Sequence, residues 1–479
     1  MLASLVSPSM AATFLDRTIA NLAAAWRGIA ERTGLAERTL RDPDIGGDEA
    51  ELLRAQLREC LEAKGGEVSA RARAASLGRT FLTLSPEGTK RFLKILAEDF
   101  ALDAEALVDA AGAYRVTIGT PGAIKAERRL RAATMAPRVK LLTQFTSLPD
   151  GVKFLVDMRA KLLDLVGDDP GLASLDEDMR ALLAAWFDIG FLELRRITWD
   201  SPASLLEKLA AYEAVHRVRS WADLKNRLDA DRRFYAFFHP RMPTEPLIFV
   251  EVALVKGIAD NVQRLLDPAA PQENPREADT AIFYSISNTQ EGLRGIGFGN
   301  FLIKQVVDDL ASQFPKLATF STLSPIPGFR RWLGRLPKDQ LDAFLPGEER
   351  EPLVALAEDW RASLDRQWMG DPDLAPALRP ALTRLCAVYL STEKRDGKPV
   401  DPVARFHLGN GASIERINWL GDASAKGMKE SAGLMVNYVY RLADIEANHE
   451  AFASGGPIAV SSQVRKLAGG SPAVAVRRT

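Results

Sequence analysis

The 479-residue chain predicts an α+β protein, an all-helical first half followed by a mixed β-sheet flanked by helices. Three observations carry that prediction. From about Thr13 to Ile189, apolar residues recur at three-and-four spacing with charges opposite, as in DEAELLRAQLRECLEA, SPEGTKRFLKILAEDF and DEDMRALLAAWFDIGFL. From Arg232 the text changes to aromatic and β-branched runs, RRFYAFFHP and EPLIFVEVALV. Residues 281–333 then read as strand, glycine-studded loop, helix and second strand, a βαβ-like unit. The length exceeds one comfortable core, so two domains are expected: a helical domain over 1–190 and a sheet domain over 191–453. The Gly-, Ser- and Pro-rich stretch 454–479 is expected to be an irregular tail.

In order, Ser85-Pro86-Glu87 marks a helix start with proline at its first position. The helical text ends near Leu192 to Trp199, and further helices cover SPASLLEKLAAYEAV and about Ser220 to Leu228. The two aromatic runs form paired strands across a turn between Pro240 and Pro246. A helix over Ile258–Leu266 precedes the strand Ala281–Ser287, the loop Arg294–Gly299, a helix over about Asn300–Phe314 and a strand from Ala318 to Leu323. Asn300 is placed to cap that helix. Helices are expected near Glu351–Trp368 and Leu374–Leu390. DPVARFHL and ASIERINW read as a hairpin across Gly409-Asn410-Gly411, because Asn-Gly supplies the positive φ that such turns favour.

Composition narrows the function. With 62 basic and 63 acidic residues the net charge is -1, which argues against a nucleic-acid surface spread over the molecule. No apolar run reaches the ~18 residues a membrane span needs, so no membrane partner is expected. The two cysteines, Cys60 and Cys386, are far apart and make no CxxC clamp, which suits a reducing compartment. No metal is expected. The first residues lack a basic start and a continuous apolar stretch, and the chain ends in VRRT rather than Ser-Lys-Leu, so a cytoplasmic location is expected.

The chemistry gathers in the second half. Arg294-Gly295-Ile296-Gly297-Phe298-Gly299, followed by Asn300 at a helix start, offers bare backbone amides and a positive helix end to a phosphate or diphosphate. On glycines alone it reads equally as a tight turn. It is neither a GxxxxGK[ST] loop nor a GxGxxG dinucleotide loop with its downstream acid. Of the four histidines, His216 and His449 sit on helical text and His239 at a strand end, while His407 lies beside the expected hairpin turn. Alone, His407 reads as a structural histidine or a catalyst, and Ser324 before Pro325 reads as a helix cap or a catalytic hydroxyl. No GxSxG elbow supports an acylated serine.

Arg294, Gly297 and Gly299 meet the Arg/Gln-x-x-Gly-x-Gly/Ala pattern of the acyl-CoA loop in the N-acetyltransferase (GNAT) fold. More specifically, FYSISNTQEGLRG, FLIKQVV, FSTLSPIPGF, ARFHLGNGASIERINWLGD and GLMVNYVY resemble the malonyl-CoA decarboxylase family over roughly Phe187 to Tyr440. The resemblance implies a GNAT-like catalytic domain that binds malonyl-CoA and yields acetyl-CoA, with Ser324 as catalytic serine and His407 as proton donor. It also implies that Ser285 and Tyr440 line the site, and that the helical domain contributes contacts in a homo-oligomer, a dimer or tetramer. The thioester carbonyl is itself an electron sink, so no cofactor is expected. One position departs from the family: animal members carry a glutamate that helps orient the histidine, where this chain has Gly297. Glu291 or Glu415 is expected to take that role. The alternative reading is an acyl-CoA-dependent N-acyltransferase, which would want an acceptor groove and no Ser324–His407 pair.

Overall fold

The molecule is described here from a computed structural model, which covers residues 21–27, 29, 40–62, 66–167, 169–297, 301–356 and 359–469. Its first part is helical: α1 (Gly47–Leu61), α2 (Glu67–Thr83), α3 (Pro86–Glu98), α4 (Ala104–Thr117), α5 (Ala123–Ala133), α6 (Pro137–Phe145), α7 (Gly151–Leu165) and α8 (Pro170–Trp186). The start of α3 is set by its sequence. Ser85 Oγ accepts from the Gly88 amide and Pro86 takes the first turn, where a missing N–H costs nothing. Phe81, Phe92 and Phe154 meet edge-on at the centre of this bundle, the arrangement the ring quadrupoles favour.

Seven strands form one sheet: β1 (Glu193–Ile197), β2 (Arg232–His239), β3 (Met242–Val255), β4 (Thr280–Asn288), β5 (Thr319–Thr322), β6 (Ser413–Asn418) and β7 (Met435–Tyr440), in spatial order β1-β2-β3-β4-β5-β7-β6. All neighbours are antiparallel except β4 and β5, which run parallel because the helix α9 (Phe301–Gln313) crosses between them. The fold is thus the α+β arrangement expected, a helical region followed by a mixed sheet flanked by helices. One face of β2 and β3 joins a cluster of buried apolar side chains that runs continuously from Leu53 and Phe92 through Phe154 to Phe283 and Leu408. Phe234, Ala236, Phe238 and Phe249, on the other face, pack on the helix Ala203–Tyr212. Among the described residues, no helix is long and apolar enough to cross a membrane.

Two expectations fail. Residues 402–409 are not a strand but a helix, α11 (Pro402–Gly409), which follows the long helix α10 (Leu374–Thr392). The Asp401 carboxylate accepts from the Val403 and Ala404 amides, both at 2.9 Å, and Pro402 opens the turn. That local capping outweighs the Asn410-Gly411 signal, whose partner strand is instead β7. The expected hairpin across residues 409–411 is therefore absent; a separate one turns at Asp396-Gly397, both at positive φ, between the two-residue strands Lys394–Arg395 and Lys398–Pro399. The second correction is the tail. Val460 bridges to Ile414 and α12 (Ser462–Ala468) packs on α10, burying Val464 and Ala468. Residues 470–479 lie outside the described residues.

Candidate active site

Strands β4 and β5 pair only from Thr280↔Thr319 to Phe283↔Thr322, and then part. β4 continues along β3 to Asn288, while β5 turns away and Ser324 pairs with Val436 of β7. The wedge between them opens into a cleft of about 220 Å³, lined on one side by Phe283, Ser285 and Asn288 and on the other by Ser324, Pro325 and His407. A cleft beyond the carboxyl ends of parallel strands is where ligands enter sheets of this kind.

Ser324 and His407 converge there from segments 83 residues apart, with Oγ 3.1 Å from Nε2. Ser324 Oγ donates to Thr322 Oγ1 at 2.8 Å, which in turn accepts from the Tyr438 amide at 3.1 Å. His407 Nδ1 lies 2.7 Å from the Tyr440 hydroxyl, and its ring stacks on Tyr438 at 4.6 Å between centroids. If the Ser324 proton goes to Thr322 and the Tyr440 proton to Nδ1, the imidazole carries its hydrogen on Nε2, directed at Ser324 Oγ beside the cleft. No charged group offsets the burial of His407, which pushes its pKa down to about 3 and leaves the ring neutral. Burial also holds the Tyr440 hydroxyl well above its ordinary value, as a proton-bearing group.

The expected partners of His407 are elsewhere. Glu291 pairs with Arg294 at 2.9 Å and Glu415 with Arg441 at 2.7 Å, so neither orients the ring; Tyr440 does. A Cβ at Gly297 would meet nothing among the described residues within 4 Å. In the glycine loop, Glu291–Leu293 form a single 3-10 turn, Arg294 is exposed, Gly295 takes φ +78° and Ile296 is buried. Phe298, Gly299 and Asn300 lie outside the described residues. His239 receives the Arg241 amide and meets the Trp186 carbonyl, and His449 meets the Gly409 carbonyl. His216 is not on a helix; it lies between the helices Ala203–Tyr212 and Trp221–Arg227.

Ser285 lines the cleft as expected, and behind it stands a residue that sequence reasoning missed. Both Glu213 oxygens accept from Ser285 Oγ, at 2.9 and 2.8 Å, and Oε2 also accepts from Ser287 Oγ at 3.3 Å. The Val215 and His216 amides also donate to Glu213 Oε1. One layer deeper, burial raises the Glu251 carboxyl to about 8, against the pull of Arg227 at 3.3 Å. The signal for this network was present in β4: Ser285 and Ser287 alternate onto one face of an apolar strand, and buried hydroxyls need a buried acceptor. Among the described residues, no group of three or more His, Cys, Asp or Glu could hold a metal ion.

The malonyl-CoA decarboxylase C-terminal domain model matches residues 190–476, and the corresponding N-terminal domain model matches residues 100–187. The chain belongs to the malonyl-CoA decarboxylase family. It is 40% identical to the mitochondrial malonyl-CoA decarboxylases of Rattus norvegicus and Mus musculus over 362 residues, 72% of this chain and 73% of each relative. The crystal structure of malonyl-CoA decarboxylase from Rhodopseudomonas palustris is 44% identical, with a TM-score of 0.79, and covers 87% of this chain and 99% of its own. That from Cupriavidus metallidurans is 41% identical with a TM-score of 0.70, covering 88% of this chain and 100% of its own. The family is one of carboxy-lyases, so membership makes the chain an enzyme of that class.

Proposed function

We propose that this carboxy-lyase converts malonyl-CoA to acetyl-CoA and CO2 through the Ser324–His407 pair, and the observation that carries the reading is their 3.1 Å approach at the cleft, backed by Tyr440 at 2.7 Å. The CoA diphosphate lies on the glycine loop and the acyl end reaches Ser324. Breaking the bond between the carboxylate and the α-carbon leaves its electron pair in the thioester as an enolate. The barrier is set by how well that charge is received, and an aimed hydrogen-bond donor contributes about 10²–10³ in rate.

The balance requires one proton at the α-carbon. Before substrate binds, burial alone keeps the imidazole neutral. A malonyl carboxylate brought against it raises its pKa, so the ring takes up a proton at Nδ1 as substrate enters, gives its Nε2 proton to the carbon, and returns to the Nε2–H tautomer by exchange with solvent after product leaves. Tyr440 serves both states, donating to Nδ1 of the neutral ring and accepting from Nδ1–H of the charged one. Ser324 holds the departing carboxylate and accepts the Nε2 hydrogen bond between turnovers. The thioester supplies the electron sink, so no metal or organic cofactor takes part in this scheme.

Purified protein given malonyl-CoA and no acceptor amine should release acetyl-CoA and CO2 in equal amounts. An N-acyltransferase would release neither. We also propose that the enzyme is a homo-oligomer, dimer or tetramer, assembled through its helical region. Supporting this, α4 and α5 pack chiefly on each other and leave Val108, Val116, Ile118 and Ile124 each more than 60% exposed. Light scattering on the purified chain measures the number of copies.

A further inference from the structure

The helical region meets the start of the glycine loop through Arg159 and Val156 of α7. Arg159, on α7, is 1% exposed and uses its guanidinium as a bridge. Its Nε donates to Asp176 of α8 at 2.7 Å, while Nη1 donates to the carbonyls of Gly292 at 2.7 Å and Arg294 at 2.9 Å. One helical turn earlier, the Val156 carbonyl packs against Gly292 so closely that a Cβ there would sit 1.8 Å from its oxygen. Leu293 and Ile296 are buried beside this contact. The floor under the loop is therefore α7.

This contact sets which way the loop's backbone faces. In a trans peptide the carbonyl of one residue and the amide of the next point in opposite directions. With the Gly292 and Arg294 carbonyls drawn down onto Arg159, the Gly295 amide is turned away from α7, at the positive φ only glycine takes without strain. The guanidinium spreads these bonds over a planar fork, Nε to the carboxylate and Nη1 to the carbonyls, whereas a lysine would have to make all of them from one nitrogen.

We propose that Arg159 is a positioning residue for the CoA diphosphate: it acts through the Gly292 and Arg294 carbonyls to aim the Gly295 amide at the ligand. The proposal rests on the reading that the glycine loop takes the diphosphate. It separates binding of the nucleotide end from chemistry at Ser324 and His407.

The test compares two substrates on each protein sample, malonyl-CoA and malonyl-pantetheine, which carries the same acyl thioester without the nucleotide diphosphate. Arg159→Lys should raise KM for malonyl-CoA by roughly 10- to 100-fold, the loss of charge-assisted hydrogen bonds. Its kcat should stay within about threefold, and kcat/KM for malonyl-pantetheine should equal the wild-type value. Asp176→Asn, which unties the guanidinium from α8, should move the same ratio in the same direction by less. Partial unfolding lowers both substrates alike and leaves the ratio unchanged, so the readout survives a destabilised variant. Equal losses for the two substrates would overturn the proposal and make Arg159 a support of the fold only. If the wild type itself showed no preference for malonyl-CoA over malonyl-pantetheine, the loop reading would be the part that failed.

Discussion

Replacing Tyr440 with phenylalanine removes one oxygen and leaves the ring that packs 6.4 Å from Phe283. That oxygen is the group 2.7 Å from Nδ1 of a fully buried imidazole. A buried nitrogen left without its partner costs about 1–3 kcal/mol, with the upper part of the range applying when the ring is charged. In the proposed scheme the ring carries its proton at the bond-breaking step, so the loss falls on the transition state more than on the free enzyme. Tyr440 does not line the cleft, so substrate affinity should hold. The expected outcome for Tyr440→Phe is a kcat lowered about 10- to 100-fold with KM within about threefold, measured by steady-state CO2 release from malonyl-CoA. A kcat within twofold of wild type would refute the assignment of Tyr440 as the group that fixes His407.

Other outcomes follow from the same geometry. His407→Ala should abolish CO2 release, a loss of at least 10²-fold for a positioned proton donor, while CoA affinity measured by calorimetry stays within a few-fold. Acid stability should carry the signature of the same ring: its folded-state pKa of about 3 lies below the ordinary 6.5, so the unfolded chain takes up a proton that the folded chain refuses. That stability is fully present above pH 6.5 and is lost as pH falls toward 3, by about 1.4 kcal/mol per unit. His216, held near 4 chiefly by burial, adds the same slope down to its own value. Denaturant melts from pH 7 to 4 should therefore be shallower in pH for His407→Asn, and an unchanged slope would contradict the burial argument. Gly297→Glu should melt within about 0.5 kcal/mol of wild type, because its Cβ enters open space; a variant that fails to fold would show the loop to be closed there.

What the sequence disclosed depended on how local the determining physics was. Strand β4 and helix α9 were legible within a residue or two, since β-branched content and three-four spacing act over neighbours. Ser324 and His407 were named from motifs, and the fold brings them together. The element bearing His407 was misread because two local signals competed. Asp401-Pro402 begins a helix and Asn410-Gly411 suggests a hairpin, and only the first is satisfied in three dimensions. The partner of its Nδ1 was misassigned for another reason: Tyr440 was named from its motif as a site residue, but it lies 33 residues away on a buried strand and no local pattern ties it to His407. Arg159 was illegible entirely. It sits 133 residues before the carbonyl it holds, in a helix whose periodicity gives no hint of a ligand loop.

The Arg159 bridge also bears on how the molecule comes into being. Chains emerge from the ribosome amino end first, and the part made earlier can settle before the rest appears. Helices α7 and α8 are complete by Trp186, a hundred residues ahead of Gly292. The seat for the ligand loop is thus laid down before the loop is translated, and the later segment folds onto a template already waiting. A chain supplied without its opening 186 residues would reach Gly292 with nowhere to rest it, leaving Leu293 and Ile296 facing water.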